Sequence, residues 1–262
     1  MEWWTAVILG IIEGLTEFLP ISSTGHLIVT GHLLGFTGEL ATSFEISIQL
    51  GAILSVLFYY RHRLLNVLLN FPKKRESRLL IIHLACGFLP AAAIGLATHS
   101  YITTYLFSPI TVGIALIAGG FAILLIEKTR RNFRVHDINE LSIRDAFLIG
   151  CAQCLALFPG TSRAGATIMG GLLVGLDRKT ATEFSFLLAL PTMIAATVYQ
   201  LLKGHALLLS ENLIYLGIGM AVAFFTALAV ITTFLKYVTT NTFIPFAYYR
   251  IIFGACVLYL FW

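Results

Sequence analysis

The segment EGLTEFLPISSTGH, residues 13–26, decides how this chain is read. It lies inside an otherwise apolar run over 5–34 and breaks that run with two carboxylates, a proline and four hydroxyls. Each half of the run is only about 14 residues, short of the roughly 20 that a helix needs to cross a bilayer. Interrupted, polar backbone is tolerated at membrane depth only where protein buries it or a watery cavity receives it. The segment is therefore predicted to be a re-entrant helix–turn–helix hairpin. A second stretch, QCLALFPGTSRAGATIMGG at 153–171 within 143–176, has the same character and is read the same way.

Working outward, six apolar stretches are predicted to span a membrane as helices, at 42–60, 79–98, 107–126, 180–201, 212–235 and 245–262. A bare backbone finds no hydrogen-bond partners in lipid, so these must be helical. Composition agrees: 58% of the 262 residues are hydrophobic, 11% are charged, and mean hydropathy is +0.89. A soluble domain carries about 25% charge, so that class is excluded. The fold class is thus an all-α polytopic membrane protein in a single domain. MEWWTAVILGIIEGL lacks a basic leader, so the first segment is expected to remain in the mature protein.

The halves resemble each other. Pro20-Ile-Ser-Ser23-Thr-Gly parallels Pro159-Gly-Thr-Ser162-Arg-Ala-Gly, with Ser23 and Ser162 placed in register. Repeat one covers about 1–126 and repeat two about 143–262, each a hairpin followed by three spans. An odd number of spans inverts the second half, and inverted-topology repeats place their site near the midplane, where the broken elements meet. Basic residues collect at 61–78 and 127–144 and, by span parity, at Arg178, Lys179 and Lys236, with Lys203 alone on the other side. The positive-inside rule then puts the basic loops in the cytoplasm and both termini outside, with the site opening outward. The +4 net charge is accounted for by these loops, and no nucleic-acid partner is expected.

The chemistry is predicted to lie in the hairpins. Glu13 and Glu17 share a helix face, and buried carboxylates in an apolar segment call for a cation or a proton. Hard oxygen ligands suit Mg²⁺ or Ca²⁺, so both are candidate metal ligands as well as general bases. Pro20 ends one half-helix, and Ser22, Ser23 or Thr24 can cap the next, with Gly25 leaving room; such an N-terminus binds phosphate. His26 is close enough in sequence to Ser23 to exchange its proton. In the second hairpin Gly160, Thr161, Ser162 and Gly165 admit a ligand close to the backbone. Arg163 offers a planar fork to phosphate oxygens or a salt bridge to Glu17.

Gln49 and Gln153 are read as lining the cavity or bonding a neighbouring helix. His32, Glu45, Glu183, Gln200 and Arg250 are read as snorkelling at segment ends. His62, His99, His136 and His205 are assigned to loops, and the four cysteines, including Cys151 and Cys154, to packing.

EGLTEFLPISSTGH and PGTSRAGATI resemble the two signature motifs of the bacterial undecaprenyl-pyrophosphate phosphatase family of the bacitracin-resistance type, and the likeness runs over essentially the whole chain. The resemblance implies hydrolysis of undecaprenyl pyrophosphate to the monophosphate and inorganic phosphate in the bacterial cytoplasmic membrane, which recycles the cell-wall lipid carrier. It also implies resistance to bacitracin, which competes by binding the substrate, and a possible homodimer. By position it puts the acidic motif on Glu13 and Glu17, the serine on Ser23, the histidine on His26 and the phosphate-binding arginine on Arg163; where the family often has serine, this chain has Ala164. Ser23, His26 and water all stay open as the nucleophile. The rival reading is a transporter or flippase that carries a polyprenyl phosphate through the same site.

Overall fold

The computed structural model describes residues 2–106, 108–129, 132–202 and 213–261. Lys203, His205, Arg130 and Arg131 lie outside the described residues, as does the side chain of Gln200. Among the described residues there are eleven α-helices and no strand, only one isolated bridge between Val135 and Leu176. Six helices are long and apolar enough to span a membrane: α3 (Glu39–Tyr59), α5 (Arg75–Tyr105), α6 (Pro109–Lys128), α9 (Arg178–Leu202), α10 (Leu213–Tyr237) and α11 (Ile244–Phe261). These are the six predicted spans, with ends moved by a few residues, and the chain is a multi-pass membrane protein.

Between them stand two short helix pairs, α1 (Trp3–Thr16) with α2 (Ser23–Leu33), and α7 (Ile143–Gln153) with α8 (Arg163–Leu173). The 14 residues of α1 rise roughly 21 Å, less than the hydrocarbon thickness of a bilayer. The remaining helix, α4 (Arg61–Asn70), was not foreseen: its charges drew the segment into a basic loop. In fact Leu65, Leu68 and Leu69 are exposed on it at helical spacing, as on an amphipathic helix lying at an interface.

The two pairs correspond position by position at a spacing of 140 residues: Gly10 with Gly150, Glu13 with Gln153, Ser22 with Ser162, Gly25 with Gly165, Phe44 with Phe184. Their packing corresponds too. α1 lies against α10 as α7 lies against α5, and α6 meets α11 between the halves. Gly10 and Gly150 permit the two close crossings. A Cβ at Gly10 would lie 2.6 Å from the Gly219 carbonyl oxygen, and one at Gly150 would lie 2.5 Å from that of Gly87. With no hydrophobic drive between helices in lipid, such small-residue contacts are what let backbones approach. This packing is compatible with the predicted inverted repeat.

The predicted register needs correcting by one residue. Ser162 pairs with Ser22, not Ser23, because the cap fixes the equivalence and the proline does not. The Ser22 and Ser162 hydroxyls accept from the amides of Gly25 (3.4 Å) and Gly165 (3.0 Å). Pro20 therefore stands opposite Gly160, and Ser23 opposite Arg163.

Charged side chains meet at one end of the bundle. Arg63 approaches Glu183 at 3.8 Å, Arg178 pairs with Glu127 at 2.7 Å, and the Phe243 amide donates to Glu127 at 2.9 Å. Asp145 closes a capping box with Ser142 and pairs with Arg134. The basic loops thus share an end, as span parity requires.

Candidate active site

The turns of the two hairpins face each other across a cavity of about 250 Å³. Glu17, Ser22, Ser23 and Thr24 line it from the first hairpin, and Phe158, Pro159, Gly160, Ser162 and Arg163 from the second. Gln49, midway along α3, and Met193, from α9, close its sides, so the cavity lies at mid-height of the spans.

Local sequence explains the frame. α2 and α8 each begin just after a serine with positive φ, 71° at Ser22 and 72° at Ser162. A non-glycine residue there is strained by about 1–3 kcal/mol and persists only when its surroundings impose it. Here the packed turn imposes it, and the serine side chain adds a cap. That cap occupies the third amide of each helix, and the amides ahead of it sit where an anion meets a helix N-terminus. Small residues at Gly25, Gly165 and Ala164 keep both first turns slim.

Across the gap, the Ser23 hydroxyl donates to Glu17 Oε2 at 2.6 Å, and Arg163 Nη2 donates to Glu17 Oε1 at 3.1 Å. The carboxylate of one hairpin thus holds both the hydroxyl beside it and the cation of the other hairpin. Arg163 is steadied by Nη1 donating to the Ser185 carbonyl at 3.0 Å and by the Phe18 ring 5.8 Å from its Cζ. Its Nε is buried with no hydrogen-bond partner among the described residues. Ser162 Oγ donates to the Leu19 carbonyl at 3.4 Å, a second tie between the hairpins.

Several predicted residues fall elsewhere. Both ring nitrogens of His26 are engaged away from Ser23: Nδ1 lies 2.7 Å from the Ser22 carbonyl oxygen and Nε2 lies 2.7 Å from the Tyr249 hydroxyl. Phe253 stacks on the ring, and His26 does not line the cavity. The expected Ser23–His26 proton exchange is corrected accordingly. Gln153 is also withdrawn, donating to the Gly87 carbonyl at 3.2 Å and accepting from Thr192 at 3.2 Å; it bonds helices rather than ligand. Gly25 and Gly165 serve the caps, and Thr161 lies behind the turn.

Glu13 stands one helical turn behind Glu17, fully buried, and neither carboxylate oxygen has a hydrogen-bond partner among the described residues. No group of three or more His, Cys, Asp or Glu side chains able to hold a metal occurs among the described residues. Two carboxylates, one of them orphaned, nonetheless fit a Mg²⁺ or Ca²⁺ ion that completes its shell with water and substrate phosphate.

Arg250 is the residue the sequence reading misplaced. It lies six residues into α11 and, rather than snorkelling, is 1% exposed and reaches inward to both hairpin turns. Tyr249, beside it, holds His26 and carried no sequence signal at all.

A second, apolar groove of about 410 Å³ runs between α6 and α8 and meets the cavity at Phe158, which lines both.

Residues 6–256 match the family model described as bacitracin resistance protein BacA. The chain is 51% identical to the undecaprenyl-diphosphatase of Methylobacillus flagellatus, over 98% of this chain and 97% of that one. It is 49% identical to the protein of the same name from Ectopseudomonas mendocina, with 98% and 95% covered, and 48% identical to that of Neisseria gonorrhoeae, with 97% and 94% covered.

Proposed function

This chain belongs to the family of the bacitracin resistance protein BacA, and we propose that it hydrolyses undecaprenyl diphosphate to undecaprenyl phosphate and inorganic phosphate at the cavity between the hairpin turns. The observation that carries the chemistry is the bonding of Glu17: Ser23 Oγ at 2.6 Å on one oxygen and Arg163 at 3.1 Å on the other.

A hydroxyl hydrogen-bonded to a carboxylate is an activated nucleophile. Ser23 attacks the terminal phosphorus, its proton passes to Glu17, and the bond from that phosphorus to the bridging oxygen breaks. Glu17 passes that proton on to the bridging oxygen, and undecaprenyl phosphate leaves. Water then attacks the phosphoserine with Glu17 as base, releasing inorganic phosphate and restoring Ser23. Arg163, with an unpartnered Nε and a planar fork, takes the charge that builds on the transferring phosphoryl group. The N-termini of α2 and α8 add aligned amides from both sides. Glu13 and Glu17 are the residues that would hold a divalent cation, which when bound supplies charge neutralisation to the phosphates. The apolar groove meeting the cavity at Phe158 is of a character to receive the polyprenyl chain.

The basic end of the bundle is assigned to the cytoplasm, which puts both termini and the mouth of the cavity on the outer side of the cytoplasmic membrane. Rapid turnover there removes the lipid diphosphate that bacitracin sequesters.

The test is phosphate release from a polyprenyl diphosphate by purified protein in detergent, with and without Mg²⁺ or Ca²⁺, for wild type beside Ser23→Ala and Glu13→Gln. Ser23→Ala is expected to lose release, and Glu13→Gln to need more cation. A well-folded wild type that binds the lipid without releasing phosphate would replace this reading with carriage of the lipid.

A further inference from the structure

Arg250 uses all five of its N–H donors on backbone carbonyls. Nε donates to Leu116 (3.2 Å), Nη1 to Pro20 (3.1 Å) and Thr161 (2.8 Å), and Nη2 to Ala115 (3.1 Å) and Gly160 (3.2 Å). It forms no salt bridge among the described residues. An arginine inside an apolar span without an acidic partner is costly and points to function.

The acceptors show what that function is. Pro20 and Gly160 are equivalent positions in the two hairpins, each two residues before the capping serine and three before the residue that does the chemistry. Ser23 follows Pro20, and Arg163 follows Gly160. One planar guanidinium thus grips the same point of both turns and pins both to α6 through Ala115 and Leu116. Because the peptide is planar and trans, a Thr161 carbonyl held on Arg250 turns the Ser162 amide the other way. Room for the group is provided at Gly119, where any Cβ would overlap Arg250 Nη2.

Resting on the hydrolase reading above, we propose that Arg250 is a positioning residue for the reaction. It sets the separation and orientation of the two hairpin turns, and with them the placing of Ser23 against Arg163. It is not part of the cavity lining and spends its donors on carbonyls, so it acts on phosphate only through the turns. A lysine, with three donors on a flexible stem, cannot replace a five-donor fork.

The experiment compares wild type with Arg250→Lys and Gly119→Ala, the second of which displaces the guanidinium without removing it. Two readouts are taken on detergent-purified full-length protein: steady-state phosphate release from a polyprenyl diphosphate, and amide hydrogen exchange without substrate. We expect kcat to fall roughly a hundredfold, as for a misplacement near 1 Å, with KM within about threefold of wild type. Exchange is expected to quicken at 21–25 and 160–165 together. Loosening of one turn alone, or of neither, overturns the clamp. Unchanged kcat in both variants overturns the positioning role while leaving the hydrolase reading in place. No release by wild type overturns the hydrolase reading itself, and with it a catalytic use for the clamp.

Discussion

Ser22 and Ser162 have the same strained backbone, φ 71° and 72°, and each caps the helix that follows through the amide three residues on. The strain and the cap are separable by mutation. Ser162→Ala keeps the strain and loses the cap, so we expect a loss of about 1 kcal/mol, within the usual range for a lost N-cap. Ser162→Gly loses the cap but relieves the backbone, and we expect it to be the milder change. Thermal unfolding in detergent, followed by the loss of monomer, orders the two. Equal losses would mean that the backbone conformation costs nothing there.

Arg163→Lys tests the fork. Lysine keeps the charge but not the planar array that reaches Glu17, Ser185 and the cavity together. A fall in kcat/KM of roughly a hundredfold or more is expected, matching the loss of a preorganised donor to a developing charge. Activity near wild type would show that charge alone suffices.

His26 and Tyr249 form one unit. His26→Ala is expected to lower kcat by freeing the Ser22 turn, and Tyr249→Phe to lower it less. The double variant should be no worse than His26→Ala alone, since neighbours in one network do not add. Fully additive losses would separate the two and return His26 to a direct role.

Asp145 ties acid to stability at the charged end of the bundle through its bonds to Ser142 and Arg134. Burial pushes its carboxyl pKa up, but hydrogen bonds from Ser142 and Arg134 outweigh this and hold it below the ordinary value. A depressed folded pKa contributes stability above the unfolded pKa of about 3.9, and that stability is lost as pH falls through the folded value. Asp145→Asn should therefore unfold more easily than wild type at neutral pH, with the gap narrowing in strong acid. A gap that stays constant with pH would mean that the charge of Asp145 is not what is used.

The spans and most of the cavity lining were legible because lipid leaves few options: long apolar runs must be helices, and polar breaks in them must be buried. Glu17, Ser23 and Arg163 announced themselves as polar residues among apolar ones. The register was misread because the two prolines look alike, whereas the folded equivalence is set by a cap whose partner is a backbone amide. His26 was overread because closeness in sequence says nothing of where a ring turns, and Tyr249 and Phe253 claim it from 223 residues or more away. Arg250 was underread because its five acceptors are carbonyls, which every residue has and no motif records.

The exchange of Ser23 for Arg163 at equivalent positions, and of Glu13 for Gln153, has a consequence for how this chain could have arisen or be rebuilt. The halves share a scaffold but differ in what they bring to the gap, one presenting Glu17 and Ser23 and the other Arg163. A chain made of two first halves would bring two copies of Glu17 and Ser23 to the gap and no Arg163, while two second halves would bring Arg163 without either. The bonding of Glu17 to both Ser23 and Arg163 therefore needs one half of each kind.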